Sequence, residues 1–422
     1  MIEVVLKYGY LYVLFSIIIL LFFRKYLTSI FDPIIFILLA ISSSLAISCE
    51  NYFFVYVLIS SLAFFLSFYF VGNPLPSKKI IVYENNDLNL LLIFTYIYFF
   101  LYIIINLYLF WTSGIPLFTK NPTLNKVIMY NDGLGFIRRI NFSSNFLTIC
   151  IFLSFILSKE KKIFFIMLLI NVIITVISGS KSGLLYIIFI VWYIIQNDFL
   201  WTSTNLYLRK MIKSTIKYLF ITSIIIFIAI SIIESKNEDS SPFFSILFRL
   251  MEFGDVMIYY SVDYVRDYFS HLGIIDYFRY ELNGIFGMLR LDNYLEPIGY
   301  QLVKAYWNKD NLFNGAILGP NALFFVKGHI FFGYIGGVIY SFLIGFTVAF
   351  ARKKILNSQI NNIFIFALLT YLFFTLPVFL KEFSLAFSMC VDLIIFFSPI
   401  FLISLLINER FNYLQKIEKN NE

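Results

Sequence analysis

The segment GPNALFFVKGHIFFGYIGGVIYSFLIGF, residues 319–346, begins with a turn sequence and continues as a long apolar run. A helix needs about 20 apolar residues to cross the hydrocarbon of a bilayer, and this run is long enough. Lys327 and His329 interrupt its first third, and glycines recur along it. Polar groups inside a membrane are costly and usually functional. The segment therefore predicts a membrane helix whose outer part faces a polar cavity.

The composition of the whole chain is that of an integral membrane protein. Hydrophobic residues make up 60%, charged residues 14%, and the mean hydropathy is +0.85, whereas a soluble domain carries about 25% charged residues. The net charge is +7, but the basic residues lie between apolar segments, which argues against nucleic-acid binding. Cys49, Cys150 and Cys390 are far apart, and no CxxC or Cys/His cluster occurs, so neither a metal site nor a disulfide framework is predicted.

We predict an all-α polytopic membrane protein with about 11 transmembrane helices in one domain, residues 1–422. The helical segments are those whose apolar runs approach the length of a bilayer crossing. Their predicted limits are 8–23, 31–48, 51–71, 88–110, 141–157, 162–178, 183–200, 216–233, 321–349, 361–380 and 385–407.

The orientation follows from the basic residues of the short loops, which are enriched on the cytoplasmic side. Six basic clusters fall on alternate loops and therefore on one side, beginning with Arg24-Lys25 and including Arg352-Lys353-Lys354 and the C-terminal tail. This pattern predicts a periplasmic N-terminus, a cytoplasmic C-terminus and a multi-pass location in a bacterial inner membrane. It also places two larger loops outside, 111–140 and 234–320.

The loop 234–320 carries apolar and aromatic residues at helical spacing, with charges between them that include Arg249 and Asp255. This pattern predicts amphipathic helices that either cap the membrane surface or line an active site. Further along, Glu281, Arg290 and Tyr300 accompany a largely apolar helical stretch. Arg290 either pairs with a nearby carboxylate such as Glu296, or meets a ligand phosphate.

Two further external positions carry basic residues. The sequence SGSKSG, residues 178–183, is rich in small residues and leads into a helix N-terminus, a geometry that binds anions. Lys181 adds a full charge there, unless it only lies at the level of the lipid headgroups. Arg139, in the pair Arg138-Arg139, has the same two interpretations. Neither stretch has the pattern of a nucleotide or metal site.

The segment 319–346 resembles the closing region of the Wzy-type O-antigen polymerases, which join oligosaccharide repeat units. The resemblance rests on the turn Gly319-Pro320-Asn321, on Phe332-Gly333 with Gly336, and on the basic cluster 352–354. SGSKSGLL is similar to a small-residue hairpin of that family, in which arginine commonly stands where this chain has Lys181. The motifs cover 178–183 and 285–354, and the topology agrees over most of the chain.

The resemblance implies a lipid-donor glycosyltransferase with a GT-C-like helical fold that needs no metal or other cofactor. Its implied substrates are undecaprenyl-pyrophosphate-linked oligosaccharides, polymerised at the periplasmic face. A chain-length regulator and a flippase are the implied partners. Cations then replace a metal in neutralising the pyrophosphate. The residues implied for that contact are Lys181, Arg290, Arg249, Arg139 and Lys327.

Within this hypothesis, His329 and Arg290 are the catalytic candidates, and Asn321, Tyr300, Glu281 and Asp255 line the substrate. Lys327 and His329 are two residues apart, about 200° on a helix, so only unwinding near Gly328 would point both at one place. One would then serve the substrate while the other reaches the headgroups, or His329 is hydrogen-bonded inside the bundle. An O-antigen ligase and, from a different class, a lipid-linked oligosaccharide flippase are the alternative functions.

Overall fold

The fold was analysed in a computed structural model. It describes residues 2–73, 85–119, 125, 129, 137, 141, 144–197, 200–201, 206–215, 218, 221, 225, 228, 251–289, 291, 295–308, 319–358 and 362–421. All regular secondary structure in these residues is helical.

The α-helices follow one another in chain order, and a further helical stretch covers 206–215. Their bounds are α1 Ile2–Phe23, α2 Ile35–Ser48, α3 Phe54–Val71, α4 Asn85–Ser113, α5 Ser144–Leu157, α6 Lys161–Ile177, α7 Lys181–Gln196, α8 Val256–Tyr260, α9 Asp263–Tyr268, α10 Ile274–Met288, α11 Ile298–Trp307, α12 Phe324–Asn357, α13 Ile363–Lys381 and α14 Phe383–Asn421. Short 3-10 helices cover Arg24–Tyr26, Pro116–Phe118 and Glu252–Gly254.

Within the described residues, six helices are long and apolar enough to cross a bilayer: Lys7–Tyr26, Phe54–Val71, Asp87–Phe118, Phe324–Asn357, Ile363–Lys381 and Phe383–Arg410. Three shorter apolar helices accompany them: Ile35–Ser48, Ser144–Leu157 and Gly183–Gln196. The protein is therefore an all-α membrane protein. Ten of the predicted spans overlap an α-helix, and the predicted span 216–233 falls largely outside the described residues. The number of eleven crossings stays a prediction.

The chain divides into two compact units, although no boundary was predicted within 1–422. The first unit consists of Met1–Pro76, Ile225–Asn357 and Phe373–Ser388. The second consists of Ser77–Ile224, Ser358–Leu372 and Met389–Glu422. Both units are discontinuous in sequence, because α13 and α14 each contribute to both.

The second unit is held by aromatic packing with a few buried polar contacts. Phe146 of α5 packs against Phe94 of α4 and Phe397 of α14, with ring centroids 6.1 Å and 5.0 Å away. Asn171 of α6 donates to the Thr148 hydroxyl at 2.8 Å, which pairs these two polar side chains inside the apolar interior. None of the polar residues that we predicted to form a site was found in these contacts.

The first unit is tied together at one end by a buried ion pair. Arg352 of α12 contacts both carboxylate oxygens of Asp32 and donates to the Tyr26 carbonyl. The side chains are 4% and 0% exposed. We expected Arg352 in a loop, but α12 continues to Asn357, and the pairing with Asp32 explains why an arginine is tolerated at a buried helical position.

Helix α12 is broken at Gly333, where φ is 69° and ψ is −166°. A glycine adopts this backbone conformation readily, whereas an L side chain would be strained there. Residues nine apart in a continuous helix are about 13.5 Å apart, yet a Cβ atom on Gly328 would lie 3.0 Å from the Gly337 Cα. The chain therefore turns back, and α12 consists of a half-helix, 324–332, and a longer helix, 334–357. Gly328 itself is helical, so the unwinding that would have pointed Lys327 and His329 at one place does not occur there.

The half-helix runs alongside α3, one of the helices long enough to cross the membrane. The Tyr56 hydroxyl donates to the Phe325 carbonyl at 2.8 Å, and the Phe324 ring stacks on Phe64 with centroids 5.0 Å apart. Phe64 lies more than two helical turns along α3. The half-helix is thus re-entrant: its start lies beside the middle of α3, and its end meets the break at Gly333.

The described part of the predicted loop 234–320 is packed into the first unit. The Ser43 hydroxyl of α2 donates to the Met251 carbonyl at 2.6 Å, and Met251, Val256 and Met257 are buried. Helices α8 to α11 thus lie against the apolar helices through their non-polar sides, in keeping with the predicted amphipathic pattern.

Candidate functional site

The half-helix 324–332 brings one lysine into the interior of the first unit. Lys327 Nζ lies 2.7 Å from Glu281 Oε1 and 3.0 Å from Glu382 Oε1. Lys327 and Glu281 are 4% and 3% exposed, and Glu382 is 20% exposed. The half-helix, α10 and the turn between α13 and α14 each supply one of these residues, so a single ammonium group ties three elements together. We call these three residues the charged cluster.

The charged cluster contains two carboxyl groups and one ammonium group. Burial raises the pKa of Glu281, an effect that the charge of Lys327 opposes and that of Glu382 increases. A buried carboxyl group with a raised pKa holds its proton more tightly than an exposed one, as many acid and base catalysts do. The cluster therefore combines a structural clamp with a group suited to proton transfer.

The opposite face of the half-helix carries His329. Its Nδ1 lies 2.6 Å from the Tyr260 hydroxyl, and its Nε2 is buried without a hydrogen-bond partner among the described residues. Four aromatic rings surround the imidazole at centroid distances from 4.4 to 5.7 Å: Phe53, Tyr56, Tyr260 and Tyr334. We call this group the aromatic box. One nitrogen of His329 is engaged by Tyr260, and the other is enclosed by the rings.

Arg266 of α9 supports the aromatic box from its polar side. Its guanidinium donates to the Tyr260 and Ser261 carbonyls at 3.1 and 2.9 Å, and it contacts Asp263 and the Tyr52 hydroxyl. It also lies over the Tyr52 ring, 4.9 Å from the centroid. Burial lowers the pKa of Arg266, but an arginine stays charged. Since its donors are used within the protein, Arg266 positions Tyr260 and is poorly placed to bind a ligand.

Lys327 and His329 face different neighbours, as their spacing of about 200° on a helix requires. Lys327 reaches Glu281 and Glu382, while His329 lies in the aromatic box. One of our expectations was that one residue of this pair reaches the lipid headgroups. The ammonium of Lys327 does not, because both carboxylates hold it inside the unit.

The four predicted substrate-lining residues lie in different surroundings. Glu281 belongs to the charged cluster, and Tyr300 is buried, with Lys304 Nζ 5.1 Å from its ring centroid. Asp255 is partly exposed, and burial together with the charge of Glu252 raises its pKa well above the usual value. Asn321 is exposed in the turn that precedes the half-helix.

Several predicted cations lie outside the described residues, namely Arg290, Arg249 and Arg139. Lys181 is the first residue of α7, but its side chain is also outside the described part. Glu296, which we considered as a partner of Arg290, receives a hydrogen bond from Lys304 at 2.8 Å. The anion-binding roles predicted for these four cations stay predictions.

Glu382 was not among the residues predicted to form the site. The available signal was the pair Lys381-Glu382 in a turn between two apolar segments, where two adjacent charges are unusual. Tyr260 and Arg266 belong to the amphipathic pattern of the loop 234–320 and were not predicted to form the site. Their contacts with His329 and Phe53 join residues far apart in the chain, which no local pattern indicates.

No protein-family model, curated protein or solved structure matches this chain. Among the described residues, no three His, Cys, Asp or Glu side chains lie close enough together to hold a metal ion. The chemistry that this arrangement offers therefore comes from carboxyl, ammonium, imidazole and phenol groups on and around one re-entrant half-helix.

Proposed function

We propose that this protein is a membrane-embedded glycosyltransferase that polymerises lipid-linked oligosaccharide repeat units into O-antigen or a related surface polysaccharide. The observation that carries the proposal is the re-entrant half-helix 324–332, which holds charged and titratable groups within a unit of membrane-spanning helices. The resemblance of the same segment to the Wzy-type polymerases supports the assignment. The donor would be an undecaprenyl-pyrophosphate-linked oligosaccharide used at the periplasmic face.

The reaction needs three kinds of protein group. An acceptor sugar hydroxyl attacks the anomeric carbon of the donor, the bond from that carbon to the pyrophosphate oxygen breaks, and the hydroxyl proton passes to a base. The departing polyprenyl pyrophosphate carries the bonding electrons and needs cations beside it. The polyprenyl chain needs an apolar surface, which the exposed helix faces of a membrane protein offer.

The charged cluster and the aromatic box supply candidates for the proton acceptor. Glu281 has a pKa raised by burial, which makes its carboxylate a stronger base than an exposed one. His329 presents only Nε2, because Tyr260 engages Nδ1, so its use as a base requires the surrounding rings to open. The cations Lys181, Arg290, Arg249 and Arg139 keep their proposed role at the pyrophosphate, whereas the two carboxylates at Lys327 compete with an anion for that ammonium.

A ligase that transfers the finished polymer to the lipid A core is the second candidate function. It uses the same kind of lipid pyrophosphate donor, and a histidine before a glycine-rich helix fits it equally well. A flippase, which moves the lipid-linked unit without chemistry, is less consistent with titratable groups gathered at one re-entrant helix.

Deletion of the gene in its host distinguishes these functions by lipopolysaccharide gel. A polymerase deletion leaves the core with a single repeat unit, whereas loss of a ligase or a flippase leaves the core alone. We expect the single-unit band and its conversion to a ladder by the wild-type gene. Complementation with His329→Gln then tests the base role, since glutamine hydrogen-bonds but does not titrate. A normal ladder from His329→Gln would leave only a hydrogen-bonding role for His329, and Glu281→Gln is the parallel test for the carboxyl group.

A further inference from the structure

Lys381, the last residue of α13, lies in an unusual environment for a lysine. Its Nζ is 4.5 Å from the centroid of Phe253 and 5.6 Å from that of Phe36. These two rings are themselves in contact, with centroids 5.7 Å apart. No carboxylate of the described residues lies within 4.0 Å of the ammonium. Among the described residues, the contacts of this partly buried ammonium are therefore with two aromatic rings.

The turn that follows Lys381 also carries a carboxylate group. Glu382 follows Lys381 directly but bonds Lys327 at 3.0 Å. This bond holds the turn in place and leaves Lys381 directed at Phe253 and Phe36. The attraction between a cation and an aromatic ring compensates only part of the cost of withdrawing an ammonium from water.

Other lysines of the described part of the first unit do not have this combination. Lys25 and Lys354 also lie over rings but are exposed, so water solvates them. Lys353 donates to the Val71 carbonyl. Among the described lysines, Lys381 combines partial burial, an aromatic platform and no hydrogen bond to an oxygen of the described residues.

We propose that Lys381 is an anion-binding residue that contacts a phosphate group carried on a lipid, and that Phe253 and Phe36 hold its ammonium in place. Resting on the proposed function, we assign this phosphate to the pyrophosphate of the lipid-linked substrate. Lys381 and Phe253 are both partly exposed, so a phosphate has access to the ammonium. A phosphate at this lysine lies beside the turn whose Glu382 belongs to the charged cluster. The anion and a proton-transferring carboxyl group would then act on the same substrate.

Binding of farnesyl pyrophosphate to the full-length protein in phosphatidylcholine nanodiscs tests this site without requiring polymerisation. We expect Lys381→Met to weaken binding at least about 10-fold, since a hydrogen bond to a charged group contributes about 1.5–3 kcal/mol. Lys381→Arg, which keeps the charge, is expected to retain most of the affinity. Lys25→Met is the matched control, because it removes an exposed lysine that also lies over aromatic rings. Farnesol, which lacks the pyrophosphate, should bind all four proteins alike.

The outcomes separate this site from the proposed function. The anion site is overturned if Lys381→Met and the wild type bind farnesyl pyrophosphate with equal affinity and thermal melting shows that both proteins are folded. This holds whatever the lipopolysaccharide gel shows. A loss of binding in Lys381→Met supports the site even if gene deletion reveals no polymerase. Competition by phosphatidylglycerol in the wild type but not in Lys381→Met supports the lipid-phosphate site and assigns its occupant to membrane headgroups.

Discussion

The two faces of the half-helix 324–332 accommodate polar side chains inside a membrane protein in different ways. On one face, Lys327 is neutralised by the carboxylates of Glu281 and Glu382. On the other face, His329 is kept among aromatic rings with a single hydrogen bond to Tyr260. A full charge demands counter-charges when it is buried, whereas a neutral imidazole needs only partial satisfaction. The two faces should therefore respond differently to substitution.

Removal of the ammonium should have the largest effect on stability. Lys327→Met leaves two carboxyl groups together inside the unit, and loss of one partner of a buried ion pair costs about 3–5 kcal/mol. We expect a marked fall in the melting temperature of the purified protein in detergent. The triple variant that also carries Glu281→Gln and Glu382→Gln should recover much of it, because no unpaired charge remains. A melting temperature of Lys327→Met equal to that of the wild type would contradict the clamp.

On the aromatic face, the close approach of the two parts of α12 should be the most sensitive feature. A Cβ atom on Gly337 would collide with the Tyr56 hydroxyl and lie 2.8 Å from the Gly328 carbonyl carbon. Gly337→Ala should therefore cost about 1–3 kcal/mol, as overpacking does. Gly273→Ala is the control, since a Cβ there meets no atom within 4 Å. Equal melting temperatures for the two variants would show that the half-helix does not pack against 334–357.

The smallest expected effect is a difference in pH dependence between the faces. Burial raises the pKa of Glu281, so the folded protein holds a proton that the unfolded chain releases near pH 4.3. Stability from this group is present at low pH and is lost as the pH rises towards the folded pKa. Glu281→Gln should therefore gain stability relative to the wild type as the pH increases from about 4 to 8.

Tyr260→Phe, on the aromatic face, is the control for the pH dependence expected of Glu281→Gln. It removes one hydrogen bond, worth about 1 kcal/mol, and adds no titrating group in this pH range. Its difference from the wild type in thermal melting should stay nearly constant over that pH range. A constant difference for Glu281→Gln as well would show that folding does not shift the pKa of Glu281.

Much of the helical architecture was predictable, because a helix that crosses a bilayer needs an apolar run of a minimum length. Ten predicted spans correspond to helices, and the amphipathic pattern of 251–268 does correspond to helices packed through their apolar sides. Glycines recur along α12 at positions 328, 333, 336 and 337, and the helix is broken at Gly333. Sequence alone could not choose between these glycines, because the choice depends on which one packs against the other limb and which one needs a positive φ.

The sequence by itself determined that the chain lies in a membrane, that it is helical and that Lys327 and His329 point in different directions. These properties depend on hydrophobicity, segment length and helical period, all of which are local. Only the tertiary structure decided that Glu281 and Glu382 meet at Lys327, that Tyr260 meets His329, and that Lys381 meets no carboxylate among the described residues. Such pairings join positions 46, 55 and 69 residues apart. They are selected by the packing of whole helices and by the cost of leaving a buried charge unpaired, which no local pattern records.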